Sequence, residues 1–477
     1  MKTFFILLFI FYYVNSFEAN KNKLRIFLIE INPILESIQN KDVYKSNDGH
    51  PYVSEFFNHN KERALEEIIE DLEFASHGQI KIDIVNHVIL NEFPKYKNKI
   101  SLIDGRLDYR YDEATYVSKS VSDNCNYLGH WYKTLSNNLY YGPGSSNFDY
   151  EYIIQKYNLV NLKNNNKFDH VWILGIDPLS AYETIMVGSE AFWINGEPIK
   201  KECKNFMIAV FTFSRRDSNL HALAHSFENI LNLVFNRDYM DYHKQYNDYT
   251  QKDYENLNYW EKFTLIDKYS KTHNAGVGNI HYPFNAYSDY DYSNDTKVYS
   301  NWENWLNYPN LNGTKKKSNN KAWMDFPGNI KIIKGTLQNL DPDRLYVRFW
   351  MYLLPHIDGY TEDGFLNNWW DYYTNLDYVS NILACHMKVT GYIGEELFLE
   401  YRVYYRSEEA GLIEYVKEDK NVKINGNCIK FQNNKLIGAQ KGQCSLVIFR
   451  DGRNATFWVD IKDSPKSFMA KNLKFLQ

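Results

Sequence analysis

Residues 218–231, SNLHALAHSFENIL, place His221 and His225 four apart and Glu228 three further on. Imidazole nitrogens and carboxylate oxygens are common ligands of zinc, and this spacing stacks all three side chains along one face of a helix. Two imidazoles one turn apart can share a single ion. In the familiar zinc-peptidase helix, H-E-x-x-H, the glutamate directly after the first histidine is the general base. Here that position is Ala222, so a standard peptidase is missing its catalytic residue. Glu228 is then either a third ligand or, if a ligand arrives from elsewhere, the catalytic base. The obvious source of another ligand is His281 in GNIHYPFNAY, preceded by Gly278 and followed by Asp289 and Asp291. Against the metal reading stand a solvated or hydrogen-bonded helix face, histidine acid–base work without metal and, for His281, a packed loop residue.

These residues need a scaffold. FMIAVFTFS reads as a strand ending near Ser214, and Asp217 or Ser218 caps a helix running to about Phe235. On that helix Leu220, Leu223, Phe227, Ile230, Leu231 and Val234 fall on one arc and form the core face. His221, His225, Glu228 and Asn232 form a second stripe at its border with solvent, where a cleft wall would lie. Upstream, KLRIFLIEINPIL is a strand, HNKERALEEIIEDLEFASHG a helix that stops at Gly78, and IKIDIVNHVIL and FDHVWILGID further strands. Strands alternating with helices predict an α/β main domain with a mostly parallel sheet over residues 22–385. Within it, GVGNIHYPFNAYSDYDYSNDT and NWENWLNYPNLNGTKKKSNN are long irregular loops, a length that usually carries function. Residues 390–463 turn to short alternating runs broken by Gly, Asn and Asp, which predicts a small all-β sandwich.

NNKLIGAQKGQCSLVIFRDGRNATFWVDI in that last segment resembles the closing half of a bacterial immunoglobulin-like domain of the second group. The resemblance implies a spacer or adhesion module on a secreted or surface protein. The main domain, around AVFTFSRRDSNLHALAHSFENIL and GNIHYPFNAYSDYDYSN, is similar to uncharacterised secreted proteins of bacteria and lower eukaryotes, which implies no activity.

Composition narrows the partners. A formal net charge of -5 excludes a nucleic-acid partner, which would need a basic footprint. Aromatics make up 17% of the 477 residues, more ring surface than a core needs, so part of it is expected to line a groove or an interface. MKTFFILLFIFYYVNS, residues 1–16, reads as a signal peptide: its apolar run is too short for a span, which needs ~20 residues. Nothing later is apolar enough to cross a bilayer, so the protein is expected to be secreted or held at the extracellular surface. Sequons at Asn294, Asn312 and Asn454 agree with export. Export permits disulfides, and Cys428 and Cys444, in strand-like runs flanking one turn, are the expected pair or else two buried thiols. The pairing of Cys125, Cys203 and Cys385 stays open.

Three other constellations compete. DYDYSND, Asp289 to Asp295, has oxygen ligands at alternate positions, but Asn294 and Ser300 stand where an EF-hand needs glycine and glutamate, leaving only a looser calcium loop. Arg215 and Arg216 at the strand-to-helix corner could hold an anion. Asp104, Asp108, Asp112 and Glu113 could supply a glycosidase pair, with Tyr109, Tyr111, Trp302, Trp305, Trp369 and Trp370 stacking on sugar rings. The leading expectation is a secreted zinc-dependent hydrolase of an extended peptide or glycan, built on His221, His225 and either Glu228 or His281. The alternative is a non-catalytic adhesion protein that binds polysaccharide or a cell-surface glycan.

Overall fold

The computed structural model describes residues 23–40, 49–122, 147–175, 181–213, 216–235, 254–270, 273–326, 332–333, 336–337, 341–361, 365–380, 382–397, 400–403, 412–415, 418, 420, 422–450 and 453–463. The leader 1–16, Cys125 and Arg215 lie outside the described residues, as do the side chains of Cys385, Arg216 and Asn454.

The central sheet has six strands: β1 (Lys23–Ile31), β2 (Lys81–Leu90), β3 (His170–Gly175), β4 (Thr184–Gly188), β5 (Ile199–Lys200) and β6 (Phe206–Thr212). Their spatial order is β2-β1-β3-β6-β4-β5, parallel throughout except where β4 runs against β6. The sheet is therefore mostly parallel. The inner strands β1, β3 and β6 are almost continuously apolar because both faces are covered, whereas the edge strand β2 is half open.

Alternation sorts the side chains into two layers. Phe27, Ile29, Val171 and Ile173 pack on one face with the short helices α2 (Tyr150–Lys156) and α3 (Leu159–Asn164). Leu24, Ile26, Leu28, Trp172 and Leu174 pack on the other with three longer helices, α1 (Lys61–Ala75), α4 (Arg216–Val234) and α5 (Pro342–Tyr352).

Helix α4 presents Leu220, Leu223, Phe227, Ile230, Leu231 and Val234 to this core, all buried as their arc requires. Most of the other stripe is buried rather than a border with solvent: His221, Glu228 and Asn232 lie under α5 and the loops after residue 254, while His225 is half-buried. Several polar groups of α4 find partners inside: Trp260 Nε1 donates to Asn232 Oδ1 (2.9 Å), Asn229 donates to the Ile194 carbonyl, and the hydroxyls of Thr184 and Ser226 bond across to β4. Asn219 accepts from the Thr212 amide (3.0 Å) and donates to its carbonyl (2.9 Å), closing the corner between β6 and α4.

Much of the aromatic surplus among the described residues is also core. Trp172, Trp260, Trp305, Trp323, Trp350, Trp369 and Trp370 are all fully buried, many of them edge-to-face with one another or with Phe263. Trp305, Trp369 and Trp370 thus cannot stack on a sugar, and Tyr111 is buried too; Tyr109 is exposed and Trp302 half-buried. The loops are long because their rings fold inward to build this second storey of the core.

Helices α1 and α5 meet through charges. The α1 face that should be apolar includes Glu67 and Asp71, and α5 answers with Arg344 and Arg348, one turn apart. Arg344 donates to Asp71 Oδ2 (2.7 Å) and Glu67 Oε2 (3.0 Å), Arg348 donates to Asp71 Oδ1, and Arg63 reaches Glu67 Oε1 (2.7 Å). Asp71, Arg344 and Arg348 are at most 2% exposed.

The C-terminal part is built from small antiparallel units and a four-stranded sheet of β7 (Ile382–Tyr392), β8 (Val422–Asn425), β9 (Gly442–Arg450) and β10 (Arg453–Lys462). The order is β7-β10-β9-β8, with β7 parallel to β10 and the other pairs antiparallel. A separate apolar cluster including Leu436, Leu446, Ile448, Phe457, Val459 and Ile461 surrounds a disulfide between Cys428 and Cys444, whose Cα atoms are 5.7 Å apart. Cys203 is a free, buried thiol in the main domain. Among the described residues no helix is long and apolar enough to cross a membrane.

Replacing Asp71 with alanine removes the carboxylate that two buried guanidinium groups share, and the expected loss of stability is about 3–5 kcal/mol, read from urea unfolding. A loss under about 1 kcal/mol would mean that the network is not what joins α1 to α5.

Candidate metal centre

His221 and His225 stand one turn apart on α4, and the loop after residue 273 brings His281 against them. Ring centroids lie 5.4 Å apart for His221–His281, 5.0 Å for His225–His281 and 6.0 Å for His221–His225. One nitrogen from each ring lies within 4.8 Å of the others, and no other group of three potential metal ligands forms among the described residues. A buried set of this kind could hold a metal ion. Glu228, although buried on the same helix, is not a member of it. The residue contributes charge instead, acting on His221 and Tyr346 from a distance.

The position of His281 is dictated by a tight turn. Asn279 Oδ1 accepts from the amides of His281 (3.0 Å) and Tyr282 (2.8 Å), while the Asn279 amide donates to the Tyr282 carbonyl (2.9 Å). Gly278 opens the turn at φ +98°, and a Cβ there would lie 2.3 Å from the Tyr282 oxygen, so only glycine fits. Helix α5 then clamps the turn: Trp350 Nε1 donates to the Gly278 carbonyl (3.0 Å) and Tyr346 to the Asn279 carbonyl (2.8 Å).

Each imidazole has a carboxylate on Nδ1. Asp343 in the first turn of α5 lies 3.3 Å from His221 Nδ1, Glu183 just ahead of β4 lies 3.0 Å from His225 Nδ1, and Asp289 lies 3.2 Å from His281 Nδ1. A carboxylate accepts, so Nδ1 carries the proton and Nε2 keeps its lone pair. That is the outer-shell arrangement which orients metal-binding histidines and raises their basicity. Three elements far apart in the chain supply the three acids.

Electrostatics follow from the crowding. Burial raises the pKa of Glu183, but the hydrogen bond from His225 and the charge of the three histidines outweigh it and hold the carboxyl at about 2. Burial pulls His281 down to about 4, with the like charges of His225 and His221 adding to it and Asp289 opposing. For His221 burial also acts downward, yet the bond to Asp343 wins and its pKa is raised. His221 therefore holds a proton more readily than His281.

Two of the competing constellations are engaged in local contacts. Asp289 is engaged by His281, while Asp291 accepts from the Tyr287 amide (3.0 Å) and Asn294 Nδ2 (2.7 Å), which makes DYDYSND a self-bonded turn. Asp104 and Asp112 are both held by Arg106, Asp108 accepts from the Tyr109 amide, and Glu113 bonds the Ser37 amide (3.0 Å). Sequence reasoning missed Glu183 and Asp343. They are single acids in a chain of 59, with no spacing to set them apart.

The chain matches no family model, no curated protein and no solved structure.

Glu183→Gln and Asp343→Asn keep shape but weaken the carboxylate–imidazole bond. Each is expected to lower affinity for a divalent ion roughly 10–100-fold in equilibrium dialysis, and wild-type uptake should weaken as pH falls, since coordination needs neutral imidazoles. Affinity unchanged in both variants would remove the carboxylates from the site.

Proposed function

We propose that this protein is a zinc-dependent hydrolase. The observation that carries the reading is that three imidazoles, two of them buried and one half-buried, converge while each Nδ1 rests on a carboxylate. Three protein ligands with a fourth position left for water is the pattern of catalytic zinc sites, whereas structural zinc is usually closed by four. Zinc held there would lower the pKa of a bound water to about 7 and polarise a scissile carbonyl or phosphoryl oxygen, chemistry that does not require a glutamate at position 222, so Ala222 is compatible with it. His221, His225 and His281 would hold the ion, and Glu183, Asp343 and Asp289 would orient them.

The substrate we propose is an extended peptide or glycan outside the cell, with residues 390–463 as an immunoglobulin-like spacer. Glycosylation fits Asn312, which is exposed, better than Asn294, whose amide already donates to the Asn285 carbonyl (3.0 Å) and to Asp291.

A second reading has its own support. A cavity of about 910 Å³ lies between Phe74, Trp302, Leu306, Lys316, Phe326 and Tyr352, away from the histidines. A half-buried tryptophan beside polar groups suits a sugar ring, and this would make the protein a non-catalytic glycan binder.

Elemental analysis of the purified protein and of His225→Ala separates the two. About one zinc per chain, lost in the variant, is the expected result. No metal after reconstitution would end the hydrolase reading, and polysaccharide affinity that survives chelation would favour the binder.

A further inference from the structure

Tyr290 has an unusual backbone for its type. Its φ of 57° lies in the left-handed region, where a bulky aromatic residue is rare and the backbone is strained. Such strain persists where the surroundings impose it, and here they can be named. The Tyr290 amide donates to the His281 carbonyl (2.9 Å), Tyr287 and Asn294 both bond Asp291, and Asp289, one residue earlier, is held on His281 Nδ1. The loop is folded back on the very histidine it flanks.

The consequence is where the phenol goes. The Tyr290 ring centroid lies 4.6 Å from that of His281 and 5.9 Å from that of His221, and its hydroxyl is 3.4 Å from His281 Nε2. That nitrogen is the one left for a metal once Asp289 has taken Nδ1. Tyr292, two residues on, does something different: its hydroxyl donates to the Ile280 carbonyl (2.8 Å) inside the core. The strained residue is thus the one whose oxygen reaches the cluster. It also remains 52% exposed, so the ring can swing out without opening the core.

We infer that the Tyr290 phenol oxygen is the fourth ligand of the metal held by His221, His225 and His281, occupying the position that water or substrate must take and leaving when it arrives. This rests on the metal-site reading above. On coordination the metal–oxygen bond forms and the phenol proton passes to solvent; on displacement an incoming oxygen donor takes the place of the phenolate, which recovers a proton. No oxidant or reductant is involved. One loop then both orients His281 through Asp289 and occludes the site through Tyr290.

The test uses the full chain loaded with Cu(II) alone, comparing wild type, Tyr290→Phe and Tyr292→Phe. Phenolate bound to Cu(II) gives a charge-transfer absorption in the visible that imidazole ligands lack. The expected result is equal copper per chain in all three proteins, with the band present in wild type and Tyr292→Phe and lost in Tyr290→Phe. Resonance Raman of wild-type copper protein, which shows tyrosinate ring modes only if the phenolate is coordinated, reads the same ligand without any variant. Copper bound with no such band, or a band that survives Tyr290→Phe, overturns the inference and leaves the three-histidine site standing. No copper uptake by wild type overturns both.

Discussion

The contact between α1 and α5 is ionic and buried, and the site depends on it. Two arginines and two acids enclosed this far from water are expensive to desolvate, and their attraction compensates only when nearly every lone pair and N–H is matched. The fork of Arg344 spans Asp71 and Glu67, and Arg348 closes on the remaining Asp71 oxygen. A network with so few satisfactory geometries sets the rotation of α5 about its axis more tightly than apolar packing would. With Arg344 and Arg348 turned to α1, the face bearing Asp343, Tyr346 and Trp350 is turned to the histidines. One helix thereby holds His221 through a carboxylate and His281 through the backbone of its turn.

A second constraint comes from bringing three imidazoles together out of water. They cannot all be protonated, since burial and mutual repulsion both oppose it, and His281 shows the result in its low pKa. Three carboxylates around them tip the balance toward a bound positive charge. That charge can be a proton shared through His221 or a metal ion coordinated by all three. Only an ion would engage every ring at once.

The aromatic loops belong to the same design. Trp260, Trp305, Trp350 and Trp369 pack around Phe263 and place a rigid layer beneath residues 273–282. Without it a loop of irregular backbone would have little to hold a histidine in place. Among the described residues much of the ring-rich composition is the means by which irregular chain is made into core.

Much of the main domain could be read directly from residue order. Near-continuous apolar strands meant a sheet covered on both faces, a 3.6-residue period gave α1 and α4, and the histidine spacing put His221 and His225 on one face with His281 as a candidate partner, because these patterns are local. Polar positions on a helix could not be told apart in the same way: Glu67 and Asp71 look like solvent residues until the arginines of α5 are set against them. Glu183 and Asp343 could not be recognised at all, since a carboxylate becomes an orienting group only through a contact 42 or 122 residues away. Likewise Glu228, singled out by its i+3 spacing from His225, does not join the cluster. The sequence by itself determined β1, β2, β3, β6, α1, α4 and the pair of imidazoles; tertiary structure alone decided which acids face them and that most of the stripe is buried, because those depend on contacts between distant segments that no local pattern encodes.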